Sequence, residues 1–150
     1  MEVIDTPQRT PKLGTLAQAA ALITDGSTLA FGGIHSHNGP MALIREIVRR
    51  GTKGLKLIAN VSAGMPADLL VGAGCVDTLT VCYVGLEHLG MAPRYRKAVE
   101  EKRIKVIDGD EIYYVLGLKP GAPGRPPAPY PPPPTAPPNP PPPPAYQRTP

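Results

Sequence analysis

With 150 residues, 41% of them hydrophobic, the chain is long enough for one ordinary domain. Its formal net charge of +4 is small, and basic and acidic residues are interspersed, so the composition argues against a nucleic-acid partner. No apolar run reaches the about 18 residues of a transmembrane helix, and residues 1–12 are too polar for a signal peptide. We therefore expect a cytoplasmic protein with no membrane partner.

The periodicity of the apolar residues predicts helices alternating with strands. Thr15 and Gln18 have the spacing of a capping box, which predicts a helix over 15–24. A buried strand is predicted over 28–31, followed by a helix over 41–50 that Gly51 should end. The later predicted elements are strands at 55–61, 78–84 and 104–107, helices at 66–71 and 93–103, and a helical start at 112–118. Such alternation implies an α/β fold with an open, mainly parallel sheet and flanking helices.

The composition changes sharply near residue 119. Residues 120–150 hold 17 of the 22 prolines and almost no aliphatic side chains. Such a segment cannot bury enough apolar surface to offset the entropy of ordering it. We therefore expect one domain over 1–119 and a proline-rich disordered tail over 120–150. The tail matches short motifs that SH3 and WW domains bind, although this much proline produces such matches by chance.

The loop after the first predicted strand carries the most informative pattern in the chain. Gly32 and Gly33 end the strand, and Asn38 and Pro40 precede the next helix. Glycine lets a backbone approach a ligand that a Cβ atom would exclude, and ligands of open α/β sheets bind at this edge. The loop is therefore predicted to face a ligand, the alternative being a tight structural turn.

This loop resembles the glycine-rich signature of α subunits in family I coenzyme A transferases. That signature has an acidic residue and glycine, a hydrophobic triplet, Gly-Gly-Phe and a proline. The matching residues here are Asp25-Gly26, Leu29-Ala30-Phe31, Gly32-Gly33 and Pro40, whereas Ile34 replaces Phe and the loop glycine is one position late, at Gly39. Further blocks at 68–76, 83–87 and 92–100 extend the resemblance over 16–119, with glutaconate-type α subunits the most similar.

The resemblance implies a Rossmann-like coenzyme A transferase fold that is incomplete at its C-terminal side. The implied reaction moves coenzyme A between an acyl-CoA thioester and a carboxylic acid, with a β subunit completing the site. Acyl-CoA would be a substrate, and no permanently bound cofactor is expected. Two alternatives stay open: acyl-CoA hydrolysis on the same scaffold, and an inactive fragment or interaction protein with a proline-rich tail.

Loops after the predicted strands supply the candidate site residues. The candidates for binding the coenzyme are Gly32, Gly33, Asn38, Pro40, Ser62, Gly64 and Gly85. Two carboxylates, Glu87 and Glu111, also follow strands and are candidate catalytic groups. In the resembled family, however, the nucleophilic glutamate usually lies in the β subunit, within a motif absent here. A simpler interpretation of Glu111 is an acidic residue at a helix start.

Histidines and cysteines complete the inventory of reactive side chains. His35 and His37 are two residues apart in a loop, too few ligands for a zinc site, so we expect no metal and a polar loop lining a cleft. Cys75 and Cys82 form no metal-binding pair and are expected to be reduced, buried thiols.

Overall fold

The computed structural model describes residues 13–59 and 63–111, which form four strands and four α-helices in alternation. The helices are α1 (Leu16–Ala21), α2 (Met41–Arg50), α3 (Met65–Gly72) and α4 (Pro93–Glu100). The strands are β1 (Thr28–Phe31), β2 (Leu55–Ala59), β3 (Val76–Val81) and β4 (Lys105–Asp108), and a short 3-10 helix covers Glu87–Leu89. The predicted α/β class is confirmed.

Local signals explain where the first two helices begin and end. The capping box before α1 forms as predicted: the Thr15 N–H donates to Gln18 Oε1 at 2.8 Å, and the Gln18 N–H donates to Thr15 Oγ1 at 3.2 Å. Helix α1 nevertheless ends at Ala21 rather than at residue 24. Helix α2 has the predicted bounds, and Gly51 ends it in the left-handed conformation at φ 71°.

The four strands form one parallel sheet in the order β1-β2-β3-β4. Each right-handed crossover steps to the next strand in the same direction, so the helices are expected on one face of the sheet. Burial agrees: Leu55, Leu57 and Ala59 of β2 are fully buried, whereas Lys56 between them is exposed. The core therefore lies between the helices and one face of the sheet.

Several predicted boundaries are wrong. Strand β1 was predicted to be buried, but it lies at the edge of the sheet and Thr28 and Ala30 are exposed. Strand β3 covers Val76–Val81 instead of 78–84, because its pairing with β2 ends at Val81. Helix α4 ends at Glu100 instead of residue 103, since Lys102 adopts a φ of 54°. The helical start at 112–118 and the tail at 120–150 lie outside the described residues.

The described helices are short. No helix within 13–59 and 63–111 is long and apolar enough to cross a membrane.

Candidate functional site

Three loops meet at the carboxyl edge of the sheet. The loop after β1 folds back on itself, with the N–H groups of Ile34 and His37 each donating to the other residue's carbonyl at 3.0 and 2.7 Å. The His35 carbonyl accepts from the N–H of Met65, at the start of α3, at 3.1 Å. The N–H of Ala63 donates to the carbonyl of Tyr83, in the loop after β3, at 3.2 Å. Backbone hydrogen bonds thus join the loops that follow β1, β2 and β3.

Glycine is sterically required at three positions of this junction. A Cβ atom on Gly64 would overlap the His35 carbonyl, and one on Gly39 would lie 2.6 Å from the Pro66 side chain. Gly33 has a φ of 108°, and a Cβ atom there would lie 2.9 Å from the backbone of its own loop. These glycines allow the loop after β1 to pack closely on itself and on α3.

Gly32 differs from the other glycines of this loop. A Cβ atom at this position would meet nothing within 4 Å, and the residue lines a surface cleft. Neither packing nor a positive φ therefore requires glycine here, and Gly32 leaves open space on the cleft side of the loop.

The cleft is a shallow depression of about 160 Å³ that opens to solvent. Its lining residues are Phe31, Gly32, Gly33, Ile34, His35, His37, Gly39, Ala63, Gly64 and Pro66. Complete small-molecule sites usually enclose about 300–1,000 Å³, so the described residues form only part of such a site.

The sequence-predicted site residues fall into three groups. Gly32, Gly33 and Gly64 line the cleft, and Asn38 and Pro40 lie in the same loop as the first two. Gly85 lies in the loop after β3, pairs with Met91, and has the Tyr83 ring so close that a Cβ atom would overlap it. Ser62 lies outside the described residues.

The two candidate carboxylates lie at different places along this edge. Glu87 begins the 3-10 helix in the left-handed conformation, at φ 55°, and its Oε1 lies 3.6 Å from His37 Nδ1. Glu111 follows the end of β4 and is exposed. Glu87 is therefore the carboxylate that contacts a residue of the cleft.

The two histidines of the loop line the cleft together, and each contacts the loop after β3. His37 pairs with Glu87, and the ring of His35 meets the ring of Tyr83 edge to face, with 6.2 Å between centroids. No group of three or more potential metal ligands occurs within the part of the chain that the structure describes. The sequence suggested a polar loop lining a cleft, but the His37–Glu87 pairing had no signal in it.

Asp68, in the second block of sequence resemblance, has a structural role. Its side chain is 4% exposed. One carboxylate oxygen accepts the backbone N–H groups of Arg94 and Tyr95 at 2.8 and 2.9 Å, and the other accepts from the Arg94 guanidinium at 3.0 Å. Because Ala92 provides no side-chain cap, Asp68 of α3 caps the N-terminus of α4 instead.

Asp25 and Gly26 of the signature lie at the other end of the sheet. Asp25 accepts the Lys53 backbone N–H at 2.8 Å, and the Gly26 N–H donates to the Lys53 carbonyl at 2.9 Å. The pair therefore fastens the start of β1 to the connection between α2 and β2, far along the strands from the cleft.

Both cysteines are free thiols. Burial raises the pKa of Cys75, with Lys53 acting weakly in the opposite direction. Burial, followed by the negative charge of Glu111, raises the pKa of Cys82. Thiols whose pKa is raised are poorly nucleophilic at neutral pH, so neither is favoured as a catalytic group.

Exposed hydrophobic side chains surround the cleft. Five large ones lie on the segments that follow β1, β2 and β3, namely Ile34, Met65, Tyr83, Leu89 and Met91. We call this set the apolar rim. Apolar side chains gathered at one edge of a domain are typical of a surface that another polypeptide or a ligand covers.

A parallel sheet with a glycine-lined cleft at its carboxyl edge defines a ligand-binding α/β domain. A sequence model described as coenzyme A transferase matches residues 14–114, about two thirds of the chain. The chain therefore belongs to the coenzyme A transferase family.

Individual relatives agree with this assignment. The chain is 37% identical over 101 residues to one of the two kinds of subunit in a 3-oxoadipate CoA-transferase from Pseudomonas knackmussii, covering 67% of this chain and 35% of that protein. Among solved structures, glutaconate coenzyme A-transferase from Acidaminococcus fermentans matches with a TM-score of 0.67 and 28% identity, over 72% of this chain and 35% of that one. The resemblance to the α subunits of CoA-transferases is confirmed.

A structure with a different named activity is also similar. A variant of the decarboxylase AibA/AibB matches with a TM-score of 0.70 and 30% identity, over 75% of this chain and 44% of that one. The chain thus spans less than half of either solved chain and about a third of the curated 3-oxoadipate relative.

Proposed function

We propose that the chain is the N-terminal part of an α subunit that moves coenzyme A between an acyl-CoA thioester and a carboxylic acid. Membership in the coenzyme A transferase family supports the reaction class, and the similarity to one subunit of a 3-oxoadipate CoA-transferase supports the role. The cleft beside Gly32 is the observation that carries the proposal, because open space on a glycine backbone suits the approach of a bulky thioester. Acyl-CoA is then a substrate and not a resident cofactor.

A β subunit completes the site in this proposal. The cleft of about 160 Å³ is smaller than a complete ligand site and opens to solvent. The apolar rim surrounds it, and burying these side chains against a second subunit would be favourable by the hydrophobic effect. The second subunit would provide the opposite wall and exclude water.

The chemistry divides between the two subunits. The nucleophilic carboxylate, which attacks the thioester and carries the acyl group and then coenzyme A, is proposed to come from the β subunit. In this chain the loops that hold Gly32, Gly33, Gly64 and Gly85 would position the thioester, with Asn38 and Pro40 shaping the first loop. Ser62, as a further loop residue after β2, remains a candidate for contacting the coenzyme.

Two groups of this chain are alternative nucleophiles. Glu87 and Glu111 both carry carboxylates at the carboxyl edge of the sheet. If either were the nucleophile, replacing it with glutamine would abolish transfer. We expect both Glu87→Gln and Glu111→Gln complexes to keep kcat within about threefold, well short of the about 100-fold or greater loss for a catalytic group.

Reconstitution tests the proposal. The full chain is purified alone and together with a β subunit of this family from the same genome, and CoA transfer from an acyl-CoA to a panel of acids is followed by chromatography. Transfer is expected only from the pair, because one wall cannot hold nucleophile and thioester at the about 3–3.5 Å that reaction requires. Transfer at full rate by the chain alone, or none by any pair, would contradict the proposal.

The same experiment separates the alternatives. If the pair releases free coenzyme A without forming a new thioester, the scaffold is an acyl-CoA hydrolase. If the chain forms no pair and instead binds SH3 or WW domains through residues 120–150, it is an interaction protein.

A further inference from the structure

The cleft offers two side chains that can carry positive charge. Among its lining residues only His35 and His37 are titratable bases, and the others are glycine, alanine, proline, phenylalanine or isoleucine. His35 already meets the Tyr83 ring, whereas the His37 side chain is 65% exposed and faces a carboxylate of its own chain. His37 is therefore the side chain at this cleft best placed to receive an anion.

A carboxylate already lies beside His37. Glu87 Oε1 is 3.6 Å from His37 Nδ1, too far for a strong hydrogen bond, and the Glu87 side chain is 39% exposed. An exposed pair of this kind contributes little to stability, so a competing carboxylate can replace it at low cost. Glu87 also has a left-handed φ of 55°, which L-residues disfavour, so moving it would not lose a relaxed backbone.

We propose that His37 binds the second carboxylate of a dicarboxylic substrate and that Glu87 occupies this position until the substrate arrives. This inference rests on the proposed function. The carboxylate that reacts becomes a neutral thioester when it carries coenzyme A, so an ionic contact with it would not persist through the transfer. A second carboxylate keeps its charge in both the acid and the thioester. His37 would then be a specificity-determining residue that recognises the class of dicarboxylic acids.

The readout is the preference for glutarate over butyrate, which have similar chains and differ in one carboxylate. It is measured as the ratio of kcat/KM values for the two acceptor acids in the complex with the β subunit. A charge-assisted contact implies that His37→Gln lowers this ratio about tenfold, mainly through the KM of glutarate, with butyrate nearly unaffected. Because the ratio compares two acids on one preparation, partial misfolding cannot change it.

The partner residue provides a test of opposite sign. Glu87→Gln removes the competing charge, so the preference for glutarate should rise. His88→Gln is the matched control, since His88 is exposed, adjacent to Glu87 and absent from the cleft lining, and it should leave the ratio unchanged. An unchanged ratio in His37→Gln, or a fall of the ratio in Glu87→Gln, would overturn the inference.

A binding measurement separates this inference from the proposed function. The His37 ring resonance of the full chain, assigned by its loss in His37→Gln, is followed by NMR during titration with glutarate or butyrate. A saturable shift with glutarate, much smaller with butyrate and larger in Glu87→Gln, would support the carboxylate site even if no complex transferred coenzyme A. Equal shifts with the two acids, or none, would overturn the site while leaving CoA transfer by the complex untouched.

Discussion

Removal of the Asp68 carboxylate should destabilise the packing of α4 against α3. Its oxygens accept two backbone N–H groups at the start of α4 and one guanidinium N–H of Arg94. Loss of a cap costs about 0.5–2 kcal/mol, and leaving buried donors unpaired adds to this. We expect Asp68→Ala to lower the free energy of unfolding by about 3 kcal/mol.

Two further variants divide this effect into its parts. Asp68→Asn keeps an oxygen for the backbone N–H groups but loses the charge, and should cost about half as much. Arg94→Ala removes only the ion pair, whose arginine is 59% exposed, so it should cost less than about 1 kcal/mol. Urea titrations followed by far-UV circular dichroism suit a chain without tryptophan. A loss below about 1 kcal/mol in Asp68→Ala, or an equal loss in Arg94→Ala, would refute the capping role.

Three other substitutions test separate contacts. Gly64→Ala should prevent folding, seen as loss of soluble protein, because its Cβ atom would overlap the His35 carbonyl. Thr15→Ala removes the capping box with Gln18 and should lower the free energy of unfolding by about 1 kcal/mol in urea, whereas Thr15→Ser should not. Burial raises the pKa of Cys75 above its ordinary value of 9.0, so the folded state keeps this proton after the unfolded state loses it. Stability should therefore fall as pH rises above 9.0, and less so in Cys75→Ala.

The sequence predicted best those elements whose ends carry their own signals. Helix α2 has its predicted bounds because Pro40 precedes it and Gly51 stops it in the left-handed conformation. Strand β3 lacked such punctuation: the β-branched residues continue to Val84, which is indeed buried, but pairing with β2 stops at Val81. The end of a strand depends on its neighbours, and a single run of residues does not contain that information.

The candidate site divides in the same way. Its glycines were predictable, because close packing of a backbone allows few other residues, and Gly33 and Gly64 both show such packing. The contact between His37 and Glu87 was not predictable, since the two residues are 50 positions apart and meet only because β1 and β3 end at the same edge. Gly32 and Gly33 also looked equivalent in sequence, although only Gly33 is required by its surroundings.

The central claim is that the thioester of acyl-CoA approaches the backbone at Gly32, and this difference between the two glycines provides its test. Gly32→Val adds a branched side chain to open space in the cleft, so the fold should be kept while the ligand is excluded. Ala30→Val, on the exposed side of the same strand, is the matched control. In complexes with the β subunit, we measure kcat/KM for acyl-CoA together with the melting temperature. The account predicts a loss of at least about 100-fold in Gly32→Val with an unchanged melting temperature, and full activity in Ala30→Val. Full activity in a folded Gly32→Val complex would contradict it.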